Sequence, residues 1–301
     1  MTRLQVKHST VYHYRNPVSF GEHRLMFRPR DSHDMRLVNS ELTISPPADI
    51  RWMHDVFSNS IAIATFKERS DTLSFESIIT VDHFGLFYPA FPIEAYAHTV
   101  PFTYRPNELP DLGRTMEPHY PDYNNLTDAW ARTFLNHDGY ADTEELLLNM
   151  TQAINKEFVY ETRTEPGVQT PVETLERRAG SCRDLALFMM EAVRCLGLAA
   201  RFVSGYLHDQ SLIDGETQLV GGGSTHAWLQ VYIPGAGWVE FDPTNGLAGS
   251  SNLIRVAVAR DPAQAIPLQG TYMGPPGEFV DMDINVTVKR LEPTSDKESA
   301  S

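Results

Sequence analysis

Arg178-Ala179-Gly180-Ser181-Cys182-Arg183-Asp184, followed at once by Leu185-Ala186-Leu187-Phe188-Met189-Met190, is the stretch on which the fold turns. Ser181 is a good helix N-cap, and Asp184 three residues on completes a capping-box pattern with a carboxylate in the first turn. That spacing places Cys182 at the first helical position and predicts a helix running to Leu196, stopped by Gly197 as a C′ residue. The helix is apolar nearly all round, so it is expected to be buried along its length. Its tip is expected to be polar and exposed, with the thiol at the positive end of the helix dipole and beside unpaired backbone N–H groups, which favour thiolate. The Cys182 N–H is for the same reason a candidate oxyanion donor.

A lone cysteine at a helix start is more often a small packing residue, and the downstream sequence decides between the two readings. After Gly223-Ser224-Thr225, residues His226, Trp228, Gln230 and Tyr232 alternate with Ala227, Leu229, Val231 and Ile233, which is strand periodicity. The turn-rich Pro234-Gly235-Ala236-Gly237 leads into Trp238-Val239-Glu240-Phe241-Asp242-Pro243, again alternating, so the pair reads as a hairpin. His226 and Asp242 are sixteen positions apart. A register in which facing residues have numbers summing to an even total puts both side chains on one face, and a one-residue slip separates them. Pairing Trp228 with Asp242, for example, leaves His226 diagonal to Asp242 at a backbone spacing of about 7–8 Å, close enough for imidazole and carboxylate to meet. In that register Cys182, His226 and Asp242 form a nucleophile, a base and an acid that orients the base.

Arg178-x-Gly180-Ser181-Cys182-x-Asp184, Gly205-Tyr206, Thr225-His226-Ala227-Trp228 and Trp238-x-x-Phe241-Asp242-Pro243-Thr244 resemble the core of the bacterial transglutaminase-like superfamily, several members of which are described as candidate cysteine proteases. The resemblance implies that Cys182, His226 and Asp242 are the catalytic residues. Leu4-x-Val6-x-His8-x-Thr10-x-Tyr12-x-Tyr14, Pro17-Val18 and Leu25-Met26-Phe27-Arg28-Pro29-Arg30 resemble the β-rich N-terminal domain that accompanies such cores, and Arg255 to Asp261 with Gly270-Thr271-Tyr272 extends the likeness to the tail. Asp261-Pro262-Ala263 departs mildly, where relatives carry an aromatic in place of the proline. The implied fold is α+β: an N-terminal antiparallel β-sandwich, then a papain/transglutaminase-like core in which a helix bearing the cysteine packs on an antiparallel sheet bearing the histidine and aspartate.

Length and composition agree. At 301 residues two domains are expected. The boundaries read from the sequence are a β-rich domain over 1–104, a Pro-rich linker over 105–125, a core over 126–292 and a frayed tail over 293–301. The core is expected to be closed by strands near Leu253–Ala259 and Met282–Val288. The formal net charge of −14 disfavours nucleic acid and an anionic membrane as partners. The expected partner is a peptide or protein substrate. No signal-peptide pattern or membrane-spanning apolar run is visible, so a cytoplasmic enzyme is the expectation. Cys182 and Cys195 are thirteen residues apart in one predicted helix, roughly 20 Å, beyond disulfide reach. Cys195 reads as a packing residue.

Around the triad, Tyr160 and Tyr206 are candidates for a second oxyanion donor, although each suits a packing role better. Trp228, Thr225 and Gly223 are candidate cleft residues, with Trp228 as a roof and Gly221-Gly222-Gly223 as a mobile lip lacking the context of a phosphate loop. The eleven histidines have no metal-ligand spacing, and His8, His13 and His23 read as surface or pleat positions of the sandwich; no metal or cofactor is expected. The activity implied is cysteine-dependent acyl transfer through a thioester. Hydrolysis comes first because water is always available. A protein-glutamine transglutaminase and an inactive peptide-binding scaffold are the alternatives.

Overall fold

The computed structural model describes residues 1–85, 90–163, 167–208, 220 and 223–291. The first sheet is organised by the 19-residue strand Thr2–Phe20, which pairs antiparallel with Ser70–His83 on one side and with Phe279–Arg290 on the other. Met35–Ser45 pairs with Ser70–His83, and the short strand Tyr272–Met273 completes the sheet against Ser19 and Phe20. A second sheet runs Leu268–Gln269, His23–Leu25, Ser60–Phe66, Ala48–His54. Tyr14, Val18, Phe20, Leu25, Ala62, Ala64, Leu73 and Phe75 form a core contributed by both sheets. Alternation in strands such as Leu73-Ser74-Phe75-Glu76 supplies that face, with the intervening positions less buried.

The second unit is a five-stranded antiparallel sheet in the order Leu247–Ala248, Gly237–Asp242, His226–Ile233, Ala200–Leu207, Leu253–Ala259. Ala227, Leu229, Val231 and Ile233 join a large apolar core with Leu185 to Met190 of the helix Cys182–Cys195. That helix starts at Cys182, with Ser181 as N-cap and Gly197 following at φ 81°, as its sequence requires. Leu229 faces Phe241 across the hairpin, and the register, carried one step on, sets Trp228 opposite Asp242. This is the even register that the triad needs.

One sequence expectation is corrected and two are made more specific. Met282–Val288 does not close the core: it lies in the strand Phe279–Arg290 and pairs with Thr2–Phe20, so the end of the described chain returns to the sandwich. Alternation identifies a strand but carries no partner, and the partner here is about 270 residues away in sequence. Within the Pro-rich linker, Leu109–Leu112 is a short helix whose Leu112 packs with Tyr104 and Ala199. His8 and His23 are buried at 2% and 5% exposure within strands, so of the two expected settings they take the pleat and not the surface. The His8 imidazole nitrogens lie 2.9 Å from the Tyr206 hydroxyl and 3.1 Å from Thr10 Oγ1. Around that contact Leu4, Val6, Ile79 and Val81 of the sandwich pack against Tyr206, Ile254 and Val256 of the core, joining the two units.

Candidate active site

The site assembles where the helix Cys182–Cys195 begins beside the strand His226–Ile233. His226 Nε2 donates to Asp242 Oδ2 at 2.8 Å, and both side chains are fully buried. Nδ1 has no fully formed hydrogen bond among the described residues, and the thiol of Cys182 is the neighbour that acts on the ring. Burial by itself would push the imidazole down, but the Asp242 carboxylate and then the Cys182 thiol overcome it and push it up to about 10. Both neighbours thus favour the protonated form of the ring. Trp228 stacks at 6.0 Å from the His226 ring and donates its indole N–H to Glu240.

Asp242 is held from several sides. Besides His226, it accepts from Asn245 Nδ2 at 2.8 Å and from the N–H groups of Thr244 at 3.0 Å and Asn245 at 3.4 Å. These donors saturate the carboxylate and fix its orientation. The turn that carries them is tied to the helix Thr143–Glu157, where Asn155 donates to the Thr244 carbonyl at 2.7 Å and Gln152 to that of Gly246 at 2.6 Å. Asn245 also exchanges hydrogen bonds with the Val220 backbone, at 2.8 and 3.1 Å. Asn245, Asn155 and Gln152 were not singled out in the sequence; the only local signal is that Asn245 follows Asp242-Pro243-Thr244 directly.

Asp184 does more than cap the helix. Its buried carboxylate accepts from the N–H and Oγ–H of Ser181 at 2.9 and 2.7 Å, from the Gln169 N–H at 2.7 Å, and from Arg163 at 2.9 and 3.0 Å. The segment before the helix is thereby clamped over its N-terminus. A Cβ at Gly180 would lie 2.8 Å from Asp184 Cβ, which accounts for glycine there. This cover also corrects the expected exposed tip, because Cys182 is only 7% exposed.

The outlying candidates divide. Tyr160, paired with Gly180 in a short parallel bridge, is half-buried beside the site, and burial followed by the nearby Cys182 pushes its hydroxyl up. Tyr206 is not a second donor: its hydroxyl is spent on His8 in the contact between the two units. Trp228 is fully buried and backs His226 instead of roofing a cleft. Gly205 makes room for it, since a Cβ there would meet the Ile254 carbonyl oxygen at 2.2 Å and the Trp228 ring at 2.7 Å. Gly223, at φ +86°, accepts from the Val286 N–H at 3.0 Å, and Thr225 is half-buried directly before His226. Gly221 and Gly222 lie outside the described residues. Cys195 is a free thiol that burial pushes up to about 12, in keeping with a packing role.

Among the described residues no helix is long and apolar enough to cross a membrane. Residues 4–82 match the bacterial transglutaminase-like N-terminal region, and residues 129–243 match the transglutaminase-like superfamily. An uncharacterised protein of Mycobacterium tuberculosis is 30% identical over 301 residues, covering 94% of this chain and 92% of its own. A protein-glutamine gamma-glutamyltransferase of Pseudomonas aeruginosa is 30% identical over 112 residues, 36% of this chain and 17% of that protein. In fold, the chain is similar to a Cytophaga hutchinsonii protein named as a candidate cysteine protease, with a TM-score of 0.71 at 19% identity, over 97% of this chain and 91% of that one.

Proposed function

The chain belongs to the transglutaminase-like superfamily, and from that premise we propose that it is a cysteine-dependent acyl transferase that hydrolyses peptide or amide bonds. The observation that carries this reading is the buried His226 ring, bonded to Asp242 at one nitrogen and raised toward its protonated form by Asp242 and Cys182 together. In the reaction the Cys182 sulfur, its proton held by His226, attacks the amide carbonyl. The tetrahedral oxyanion forms beside the Cys182 N–H at the helix start, with Tyr160 as the second donor. His226 then gives its proton to the leaving amine as the C–N bond breaks, leaving a thioester on Cys182. Water, deprotonated by His226, attacks that thioester and releases the acid, restoring the Cys182 thiolate and the protonated imidazole. Asp242 keeps its charge throughout and holds the ring in one orientation.

The partial cover over Cys182 favours a second reading, in which a primary amine reaches the thioester ahead of water. Both outcomes use the same residues. A fluorogenic peptide library, run with and without a fluorescent primary amine, separates them: release of free acid supports hydrolysis, and incorporation of amine supports cross-linking. Neither product above the level of a Cys182→Ala control would reject the proposal.

A further inference from the structure

A cavity of about 420 Å³ lies between the core sheet and the N-terminal sandwich, and none of Cys182, His226 and Asp242 lines it. Its charged groups differ in how far they are satisfied. The Glu240 carboxylate accepts from the Trp228 indole, from Gln230 Nε2 at 2.6 Å and from Arg255, so its acceptor capacity is used. Arg255 in turn spans Glu240 and Asp34, the latter at 3.2 Å. Two carboxylates share this one guanidinium, so the Glu240–Arg255–Asp34 group keeps a net negative charge.

Arg201 is different. Its Nε donates to Gln230 Oε1 at 2.6 Å and its guanidinium lies 4.1 Å above the Trp238 ring, which fixes the plane of the fork. Among the described residues no carboxylate pairs with it, and both terminal nitrogens remain unspent in the cavity wall. Burial pushes the group down to about 10, although the nearby Glu240 carboxylate acts to raise it. At the exposed rim, Arg30 donates one N–H to the Phe57 carbonyl at 3.1 Å and is likewise without an ion pair among the described residues. Phe57, Phe91 and Val258 supply apolar wall to the same cavity.

We propose that this cavity is a second binding site, for a small monoanionic carboxylate with an apolar body, gripped by the terminal N–H groups of Arg201 and approached through Arg30. A planar carboxylate matches the fork of a pre-oriented guanidinium, which a point charge does not. A monoanion meets less repulsion from Asp31, Asp34 and Glu240 in the same space than a phosphate dianion would. The volume falls within the range of small-ligand sites. A peptide C-terminus and a free carboxylic acid share this chemistry.

The test is calorimetric titration of the full-length Cys182→Ala protein, which cannot turn the probe over, with N-acetylphenylalanine and with its amide. The acid is expected to bind at least about tenfold more tightly than the amide, as for loss of a hydrogen-bonded charge, and Arg201→Gln is expected to remove that difference. A pentapeptide ending in phenylalanine separates the sources. Tighter binding than the single residue, lost on amidation, assigns the site to chain ends, and equal or weaker binding assigns it to a free acid. Equal affinity for acid and amide, or no binding of either at millimolar concentration, would overturn the proposal, as would undiminished acid binding by folded Arg201→Gln. Should Arg201→Gln fail to fold, Arg201→Lys and the acid–amide comparison carry the same decision.

Discussion

His226 Nε2 and Asp242 Oδ2 are 2.8 Å apart, with both side chains withdrawn from solvent, and the carboxylate takes three further hydrogen bonds from Thr244 and Asn245. A carboxylate so fixed can orient one ring but cannot easily move to another partner. Asp242→Asn keeps the shape and removes the charge, and should lower kcat by about three to four orders of magnitude while leaving a measurable residue. Cys182→Ala should abolish turnover and leave the melting temperature within a few degrees of wild type, because a buried sulfur is exchanged for a methyl group at a helix start. Peptide turnover and circular dichroism on the same preparations check both. Residual activity in folded Cys182→Ala would contradict the assignment of the nucleophile.

Asn245 links Asp242, the acid of the proposed triad, to Val220, in front of the strand that carries His226. Removing its amide in Asn245→Ala takes one hydrogen bond from a charged acceptor and two from the Val220 backbone. An effect on kcat of roughly ten- to a hundredfold is expected, with little change in KM. A purely structural role would instead lower the melting temperature and leave kcat per folded molecule unchanged.

Asp184 is fully buried and serves Ser181, Gln169 and Arg163 at once. Asp184→Ala leaves buried donors with no acceptor and should destabilise the fold by about 3–5 kcal/mol. Urea unfolding measures this directly, and a loss below about 1 kcal/mol would show that the clamp is dispensable.

Buried histidines should shape stability on both sides of neutrality. His8, with burial pushing it from 6.5 down to about 4, stays neutral in the fold while the unfolded chain takes up a proton. Stability should therefore fall as pH drops from 6.5 toward 4, by up to roughly 3 kcal/mol from this residue, and His8→Gln should flatten that limb. His226 has the opposite sign. Its folded value is raised from 6.5 to about 10, so its contribution is fully present below 6.5 and lost as pH rises toward 10. His226→Gln should flatten the alkaline limb and leave the acid limb unchanged. Unfolding free energies measured between pH 4 and 10 test both, and a wild-type profile flat across either window would contradict the corresponding assignment.

How much of this was legible in the sequence follows the range of the interactions. The cysteine helix, its cap and its stop at Gly197 depend on neighbours within one turn, and Ser181-x-x-Asp184 declares them. The hairpin of His226 and Asp242 is nearly as local, and alternation reduced its register to a parity that the structure satisfies. Partners far apart in sequence were not legible. Nothing in Phe279–Arg290 says that its neighbour is Thr2–Phe20, and nothing in Gly205-Tyr206 says that the glycine accommodates an indole and the tyrosine reaches His8. Asn245 and the additional partners of Asp184 belong to the same class, since polar side chains reveal their acceptors only once the chain is folded. The cavity around Arg201 is drawn from both units and has no linear signature.

The most direct measurement is iodoacetamide alkylation against pH, with the labelled residue assigned by mass spectrometry, in wild type and in His226→Ala. Cys195, about 20 Å along the same helix, serves as the internal control. The account predicts rapid labelling of Cys182 that persists at pH 6 and is lost in His226→Ala, with Cys195 slow throughout. Labelling of Cys182 no faster than Cys195, or unchanged by the loss of His226, would contradict an activated thiol–imidazole pair and with it the proposed chemistry.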